Sequence, residues 1–297
     1  MTTKMQLVKP DGSILEVQFA KGLHYWADLQ LPEGDLAAHI DNVLNFPVRE
    51  DDIYLATYPK SGTHWVWEII LMLQKRSTDY EKKVKEFAFL DFRDLTTVAD
   101  LPSPRVLNCH YPCHLTPKEV LSQGIKIVHV QRNFKDVCVS AYHHLKGFGH
   151  YTTGAFDEFL PIMLGTYGTY FLCSWCEYVR QWEIFTKAHP DQIINIYFED
   201  LKKDSVHEIR KLNTFLGTGC EEALLEKIAL ACSFHNLKKA DAEFKENPFA
   251  KLERFDMYRK GDVGDWKNYF TVAQSEEVDR WISENLPDTQ LAFRYSL

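Results

Sequence analysis

The sequence lacks an excess of positive charge. Its 297 residues include 34 basic and 42 acidic side chains, which give a formal net charge of -8 at pH 7. Proteins that bind nucleic acids or anionic membranes generally present a positive surface field. Neither a nucleic acid nor a membrane is therefore an expected partner, and any phosphate that the chain binds must lie in a local basic pocket.

Membrane-spanning segments and a disulfide framework are also missing. The longest uncharged stretch, 159–176, contains Pro161 and two glycines, so it is a poor candidate for a membrane span. The N-terminus has no apolar run preceded by basic residues, and no signal peptide is predicted. The seven cysteines are scattered and odd in number, which is typical of reduced thiols. We expect a soluble, cytoplasmic protein without a metal site.

Short apolar runs alternate with helical patterns along most of the chain. The first 50 residues indicate a hairpin around Asp11-Gly12 and then a polar helix. The later patterns predict strands at 53–58, 105–109, 125–131 and 192–198, and helices at 65–73, 117–123, 134–145, 170–188, 205–216 and 222–232. This alternation predicts an α/β fold with a central parallel sheet flanked by helices. The polar, aromatic segment 234–270 is interpreted as a long functional loop.

A candidate phosphate loop follows the first of these predicted parallel strands. A strand that enters a glycine-containing turn and then a helix directs backbone N–H groups and the positive end of the helix dipole at one point. The residues that could contact a phosphorylated adenosine there are Lys60, Ser61, Gly62, Thr63, His64 and Trp65.

The same loop argues against a conventional ATP or GTP hydrolase. It lacks the G-x-x-x-x-G-K-[ST] spacing, because Lys60 precedes the glycine. The strand at 125–131 is followed by Arg132 instead of an aspartate that could hold magnesium. A metal-free site for anionic groups is the better interpretation.

Three segments in the same order resemble the cytosolic sulfotransferase family: TYPKSGTHW, QRNFKDVCVS and YRKGDVGDWKNYFTVAQSE. The resemblance covers most of the chain and implies a single domain over residues 1–297, with a P-loop, nucleotide-kinase-like sheet. It also implies 3'-phosphoadenylyl sulfate (PAPS) as donor, adenosine 3',5'-bisphosphate (PAP) as product, and no metal. Residues 1–50 would belong to the acceptor side.

The resemblance also implies roles for the residues that match its motifs. The loop from Lys60 to Trp65 would hold the 5'-phosphosulfate, and Arg132 and Ser140 would bind the 3'-phosphate. The remaining donor contacts implied in this way are Arg259, Lys260 and Gly261 over the 3'-phosphate, and Ser233 and Phe234 near the adenine. Phe198 stands where a tyrosine is usual, which keeps a ring but removes a hydroxyl.

His110 is the candidate general base, since it follows a strand end, where α/β sheets bind ligands, and matches the family's catalytic histidine. Lys60 would neutralise charge on the leaving phosphate. The family usually has a lysine two residues before the histidine, where this chain has Asn108. An asparagine brings no charge, and on the sequence alone Asn108→Lys is expected to raise turnover.

The acceptor is less well defined by the sequence. Phe89 and Phe92 match aromatic positions of the acceptor pocket, although core packing explains them equally well. His144 could face the same pocket or the surface of its helix. A small hydrophobic alcohol, phenol or amine is the expected acceptor. The segment Lys267 to Glu276 resembles a dimerisation motif and predicts a homodimer, and its Thr271 and Gln274 also form a capping box.

Two alternatives remain open at this point. One is a nucleotide-binding protein on the same scaffold with weakened catalysis, which Asn108 and Phe198 suggest. The other is a small-molecule kinase, for which turnover would require ATP and magnesium.

Overall fold

The computed structural model describes residues 1–8, 12, 14–27, 29–147, 154–165, 172–243, 245–246 and 258–297. The strands in these ranges are β1 (Thr3–Val8), β2 (Ile14–Ala20), β3 (Leu23–Trp26), β4 (Ile53–Thr57), β5 (Val106–Cys109), β6 (Lys126–Gln131) and β7 (Ile193–Tyr197). The α-helices are α1 (Leu36–Leu44), α2 (Thr63–Lys75), α3 (Leu95–Ala99), α4 (Lys118–Ser122), α5 (Phe134–Gly147), α6 (Phe156–Met163), α7 (Trp175–Ala188), α8 (Phe198–Lys203), α9 (Ser205–Leu216), α10 (Glu222–Ala231), α11 (Phe234–Glu243) and α12 (Val272–Asn285).

Four parallel strands form the central sheet in the order β5-β4-β6-β7. Successive side chains of a strand point to opposite faces. In β4, Tyr54 and Ala56 pack into one hydrophobic core, whereas Ile53 and Leu55 pack into a second core with α2 and α9. Both faces of the sheet are therefore covered by helices, and the predicted α/β fold is confirmed.

All four strands end at the same edge of this sheet because they are parallel. The chain leaves β4 into the candidate phosphate loop, and the other strands are followed at once by His110, Arg132 and Phe198. This arrangement brings three distant motifs of the sequence to one end of the sheet, where α/β proteins bind ligands.

The N-terminal part forms a separate antiparallel sheet of β1, β2 and β3. The pairing of β1 with β2 agrees with the predicted hairpin, although Asp11 lies outside the described residues. The helix that follows is amphipathic and not merely polar, because α1 buries Leu36, Ile40 and Val43. Asp35 caps this helix by accepting a hydrogen bond from a main-chain N–H of its first turn.

The prediction of a loop over 234–270 is wrong in its first part, where α11 is a helix. This helix buries only Leu237 and Ala240, so its apolar stripe is too narrow to produce a clear helical period. Two boundaries also differ. The helix expected at 170–188 begins at Trp175 within the described residues, and Phe198 opens α8 instead of ending a strand.

Within the described ranges, no helix is both long enough and apolar enough to cross a bilayer.

Candidate active site

One cavity of about 540 Å³ lies at the carboxyl edge of the parallel sheet. Most of the site residues suggested by the sequence line it: Lys60, Gly62, Thr63, His64, Trp65, Phe89, Phe92, His110, Arg132, Ser140, His144, Phe198, Ser233, Phe234, Arg259, Lys260 and Gly261. Two of the suggested residues, Ser61 and Asn108, do not line the cavity. Both are completely buried.

The loop between β4 and α2 has the backbone expected of an anion-binding turn. Lys60 and Gly62 both have positive φ angles, 69° and 108°, and α2 begins directly afterwards at Thr63. A Cβ atom at Gly62 would lie 2.9 Å from Cδ2 of Phe198, so the absence of a side chain there lets the loop pack against that ring. The buried Oγ of Ser61 has no hydrogen-bond partner among the described residues.

The ammonium of Lys60 is held inside the cavity. Its Nζ donates to Nδ1 of His144 at 3.0 Å, so His144 lies against the candidate phosphate loop. Burial, followed by the positive charges of Lys85 and Arg132, lowers the pKa of Lys60 to about 7. An anion in the cavity would favour the charged form of this lysine.

Arg132 joins the candidate phosphate loop to the segment around Asp262. Its guanidinium donates to the carbonyl oxygens of Lys60 and Asp262, each at 3.0 Å, and its carbon lies 4.1 Å from the centroid of the Phe198 ring. The same ring makes an edge contact with Trp65 at 5.5 Å between centroids. Phe198 thus packs against both phosphate-site elements without the hydroxyl that the family usually has there.

The late loop, which contains Arg259, Lys260 and Gly261, carries two cations that pair with one carboxylate. Asp265 accepts from Nη2 of Arg259 at 2.6 Å and from Nζ of Lys260 at 2.5 Å. These contacts outweigh its partial burial and lower the pKa of Asp265 to about 2. Gly261 follows with φ at +66° and its Cα against the ring of Phe234. The loop therefore presents two cations and a bare backbone to the cavity.

A second carboxylate fastens this loop to the start of α5. Asp136 accepts from the main-chain N–H of Gly264 at 2.8 Å and from that of Trp266 at 3.1 Å. It also accepts from the side-chain amide of Asn133 at 2.9 Å. Since Asn133 directly follows Arg132, the loop is attached beside the arginine with which it shares the cavity.

The position and tautomer of His110 suit a general base. Its Nδ1 lies 2.8 Å from the carbonyl oxygen of Thr57. A carbonyl only accepts hydrogen bonds, so we assign the ring proton to Nδ1. Nε2 then carries the lone pair. Burial, followed by the charge of Lys85, holds the pKa of His110 well below its usual range, so the imidazole is neutral at pH 7.

Asn108 faces away from the cavity. Its amide nitrogen donates to the carbonyl oxygens of Lys85 and Ala88 at 2.8 and 2.9 Å, and its Oδ1 accepts from Nζ of Lys85 at 3.4 Å. The catalytic contact suggested by the sequence is thus replaced by a structural one, and this changes the expected effect of Asn108→Lys. That substitution would remove both amide bonds and place a second cation beside Lys85, so lower turnover is now expected.

Asp91 is a site residue that the sequence did not reveal. Its Oδ1 accepts the main-chain N–H of His110 at 2.9 Å, and its Oδ2 accepts from the hydroxyl of Tyr25 at 3.0 Å. Burial raises the pKa of Asp91 to about 6. The only sequence signal was its place between Phe89 and Phe92. A single carboxylate in a short irregular segment gives no sign of what it will contact.

Aromatic rings form the other side of the cavity. The Phe89 ring meets the Phe92 ring edge-on at 4.7 Å and the His110 ring at 4.9 Å between centroids. Tyr25 and Trp26 of β3 line the same region. His110 is therefore flanked by flat apolar surfaces.

Comparison with known proteins agrees with this geometry. Residues 50–290 match the family model of the sulfotransferase domain. The chain belongs to the sulfotransferase family. The resemblance seen in the three sequence segments is confirmed, and so is the expected class of enzyme.

The relatives of this sulfotransferase match along nearly the whole chain. Human sulfotransferase 1E1 is 35% identical over 280 residues, covering 88% of this chain and 92% of the relative. Mouse sulfotransferase 1A1 is 33% identical over 275 residues, covering 87% and 92%. The crystal structure of mouse sulfotransferase SULT7A1 complexed with PAP is 26% identical with a TM-score of 0.75, covering 92% and 96%. A retinol dehydratase in a complex with retinol and PAP shares the fold, with 20% identity, a TM-score of 0.78 and coverage of 99% and 98%.

The cysteines of this sulfotransferase are buried free thiols, including Cys173 and Cys176. Among the described residues, no group of three or more histidine, cysteine, aspartate or glutamate side chains is arranged to hold a metal ion.

Proposed function

We propose that this sulfotransferase transfers the sulfuryl group of PAPS to a hydroxyl or amine of a small, hydrophobic acceptor, with His110 as the general base. The observation that carries the proposal is that a single cavity is lined by the candidate phosphate loop, by Arg132 and by His110. The PAP complex of the mouse SULT7A1 structure supports the choice of donor.

The residues of the cavity fit an adenosine that carries two anionic groups. Thr63 and the N-terminus of α2 would hold the 5'-phosphosulfate, whereas Arg132 and Ser140 would hold the 3'-phosphate. The buried Nε of Arg132 has no hydrogen-bond partner among the described residues, which leaves a donor for such a group. Trp65 would pack against the adenine ring of the donor.

His110 and Lys60 would divide the proton chemistry between them. As the acceptor oxygen or nitrogen attacks the sulfur, its proton passes to Nε2 of His110, and the bond from sulfur to the bridging phosphate oxygen breaks. The charge that develops on that oxygen is neutralised by the ammonium of Lys60. For this, the lysine must exchange its contact with His144 for one with the phosphate.

The aromatic side of the cavity would receive the acceptor. Phe89, Phe92 and Tyr25 surround the position in front of His110 and would favour a flat apolar molecule. The contribution of β3 supports the expectation that residues 1–50 belong to the acceptor side.

The test is transfer of labelled sulfate from PAPS to a panel of phenols, alcohols, steroids and amines, for the wild type and His110→Ala, with and without a metal chelator. We expect chelator-resistant transfer by the wild type and its loss in the variant, with PAP binding retained. Tight PAP binding without any transfer would indicate the weakened binding protein instead. Magnesium-dependent turnover of ATP would indicate a kinase.

We also propose that the protein forms a homodimer through Lys267 to Glu276. Val272, at the start of α12, is 76% exposed, so its side chain is accessible to a partner at this segment. Thr271 and Gln274 form the expected capping box and hold this end of the helix in place. Sedimentation of the wild type and Val272→Glu tests the proposal, and equal masses for the two proteins would contradict it.

A further inference from the structure

Lys85 is a buried cation of the cavity that has no role in the mechanism above. It opens a short 3-10 turn, Lys85–Ala88, between α2 and β5. Only 4% of the residue is exposed, yet it lines the cavity. Burying an ammonium costs free energy unless a partner compensates for the lost water, so the contacts of this side chain indicate what it is placed to do.

The turn that carries Lys85 is fixed to β5, the strand that directly precedes His110. Asn108 donates to the carbonyl oxygens at both ends of the turn, those of Lys85 and Ala88. Asn108 stands two residues before His110 on the same chain. The lysine and the histidine are consequently held by one rigid unit at the end of β5.

The polar contacts of the Lys85 ammonium leave one of its N–H donors without an oxygen partner among the described residues. Nζ lies 3.2 Å from Oε1 of Glu86, 3.4 Å from Oδ1 of Asn108 and 3.9 Å from the centroid of the Phe89 ring. The amide oxygen is neutral. Oε1 of Glu86 is shared with Nε2 of His64 at 3.1 Å. An ammonium has three N–H donors. In the described part of the chain, only the oxygens of Glu86 and Asn108 lie within 3.5 Å of Nζ.

Lys85 also lies near both residues that would handle the transfer. Its cation rests on the Phe89 ring, and that same ring contacts His110. Its positive charge is among the causes that lower the pKa of both His110 and Lys60, although burial is the largest cause for each. Lys85, His110 and Lys60 line one cavity, so this third cation is placed to act on an anionic group that binds there.

We propose that Lys85 contacts the transferring sulfuryl group and supplies positive charge to its oxygens, while Asn108 positions the turn from which it reaches them. The inference rests on the proposed function. In a loose transition state the oxygens of the transferring group share the negative charge, and a preorganised cation in a site without water stabilises that charge strongly. Lys85 is thus the source of charge at a site where Asn108 brings none.

The experiment compares kcat for sulfate transfer with the Kd for PAP, which lacks the transferring group. Lys85→Met should lower kcat roughly 100-fold and leave the Kd for PAP unchanged, and Lys85→Arg should retain a large part of the activity. Removing this cation should also raise the pKa of His110 and move the acid limb of the pH profile upward. Lys82→Met, which changes an exposed lysine of the same segment, is the matched control.

A double variant separates this role from simple neutralisation of Glu86. If Lys85 only balances that carboxylate, the K85M/E86Q protein regains activity, and the proposal is overturned. Continued slow transfer with normal PAP binding supports it, whereas full activity of Lys85→Met overturns it directly. Failure of the wild type to transfer sulfate would refute the proposed function itself, and the inference with it.

Discussion

Replacing Gly261 by alanine should weaken the binding of PAP. Gly261 has φ at +66°, and an added Cβ would lie 2.3 Å from Cδ2 and 2.7 Å from Cε2 of Phe234. Both distances are far shorter than a van der Waals contact. Either the Phe234 ring or the loop that carries Arg259 and Lys260 must move, and all of these residues line the cavity.

The cost has two parts. An alanine held in the left-handed region costs about 1–2 kcal/mol relative to glycine, and overpacking of the kind seen here costs about 1–3 kcal/mol. The overpacking is relieved when the ring or the loop moves away. It returns when PAP binding restores their positions, and this cost then opposes binding. We therefore expect the Kd to rise about 5- to 150-fold, the equivalent of that second part.

Gly264 provides a matched control for this prediction. Its φ is +89°, and among the described residues the only atom that a Cβ there would approach within 4 Å is the carbonyl oxygen of Tyr295, at 3.5 Å. Gly264→Ala should thus cost similar backbone strain without the clash. Calorimetric titration with PAP compares the two variants with the wild type. Equal affinities for the two variants would refute the reasoning from the clash with Phe234.

Three further predictions concern protonation and stability. Since Lys60 has a pKa of about 7 and an anionic ligand raises it, PAP binding above pH 7 should take up a proton and weaken as the pH rises. Calorimetry at pH 8 in buffers of different ionisation enthalpy measures this, and no uptake would contradict it. Because the pKa of His110 in the free protein lies below 6.5, the acid limb of kcat/KM should also lie below pH 6.5, and a limb at or above that value would argue against His110 as the base. Asp52→Ala should lower the free energy of unfolding in urea by about 3–5 kcal/mol, because it leaves the buried Arg105 unpaired. Glu222→Ala, in an exposed pair, should have little effect.

The sheet and the donor side of the site could be predicted because their signals are local. A short apolar run followed by a turn residue marks the end of a strand, and parallel strands place such ends together. Lys60, His110 and Arg132 each follow one of these runs, so their meeting at one edge follows from the fold class alone.

The other side of the site depends on contacts between segments that carry no such signal. Lys85 lies in a short irregular segment, and its approach to the cavity is set by hydrogen bonds from Asn108. The orientation of Asn108 itself follows from two carbonyl acceptors about 20 residues earlier in the chain. No spacing in the sequence encodes a meeting of this kind, so the sequence does not show that the amide of Asn108 binds the turn at 85–88 instead of facing the cavity.

The attachment of the late loop at Asp136 has a consequence for protein engineering. This carboxylate holds the loop through main-chain N–H groups of residues 264 and 266, and every residue except proline has such a group. The side chains of Arg259 and Lys260 take no part in this attachment, since they pair with Asp265 of the same loop. Their identities can be varied in a library to alter nucleotide preference while the loop stays fastened beside Arg132, provided that Asp136 is kept.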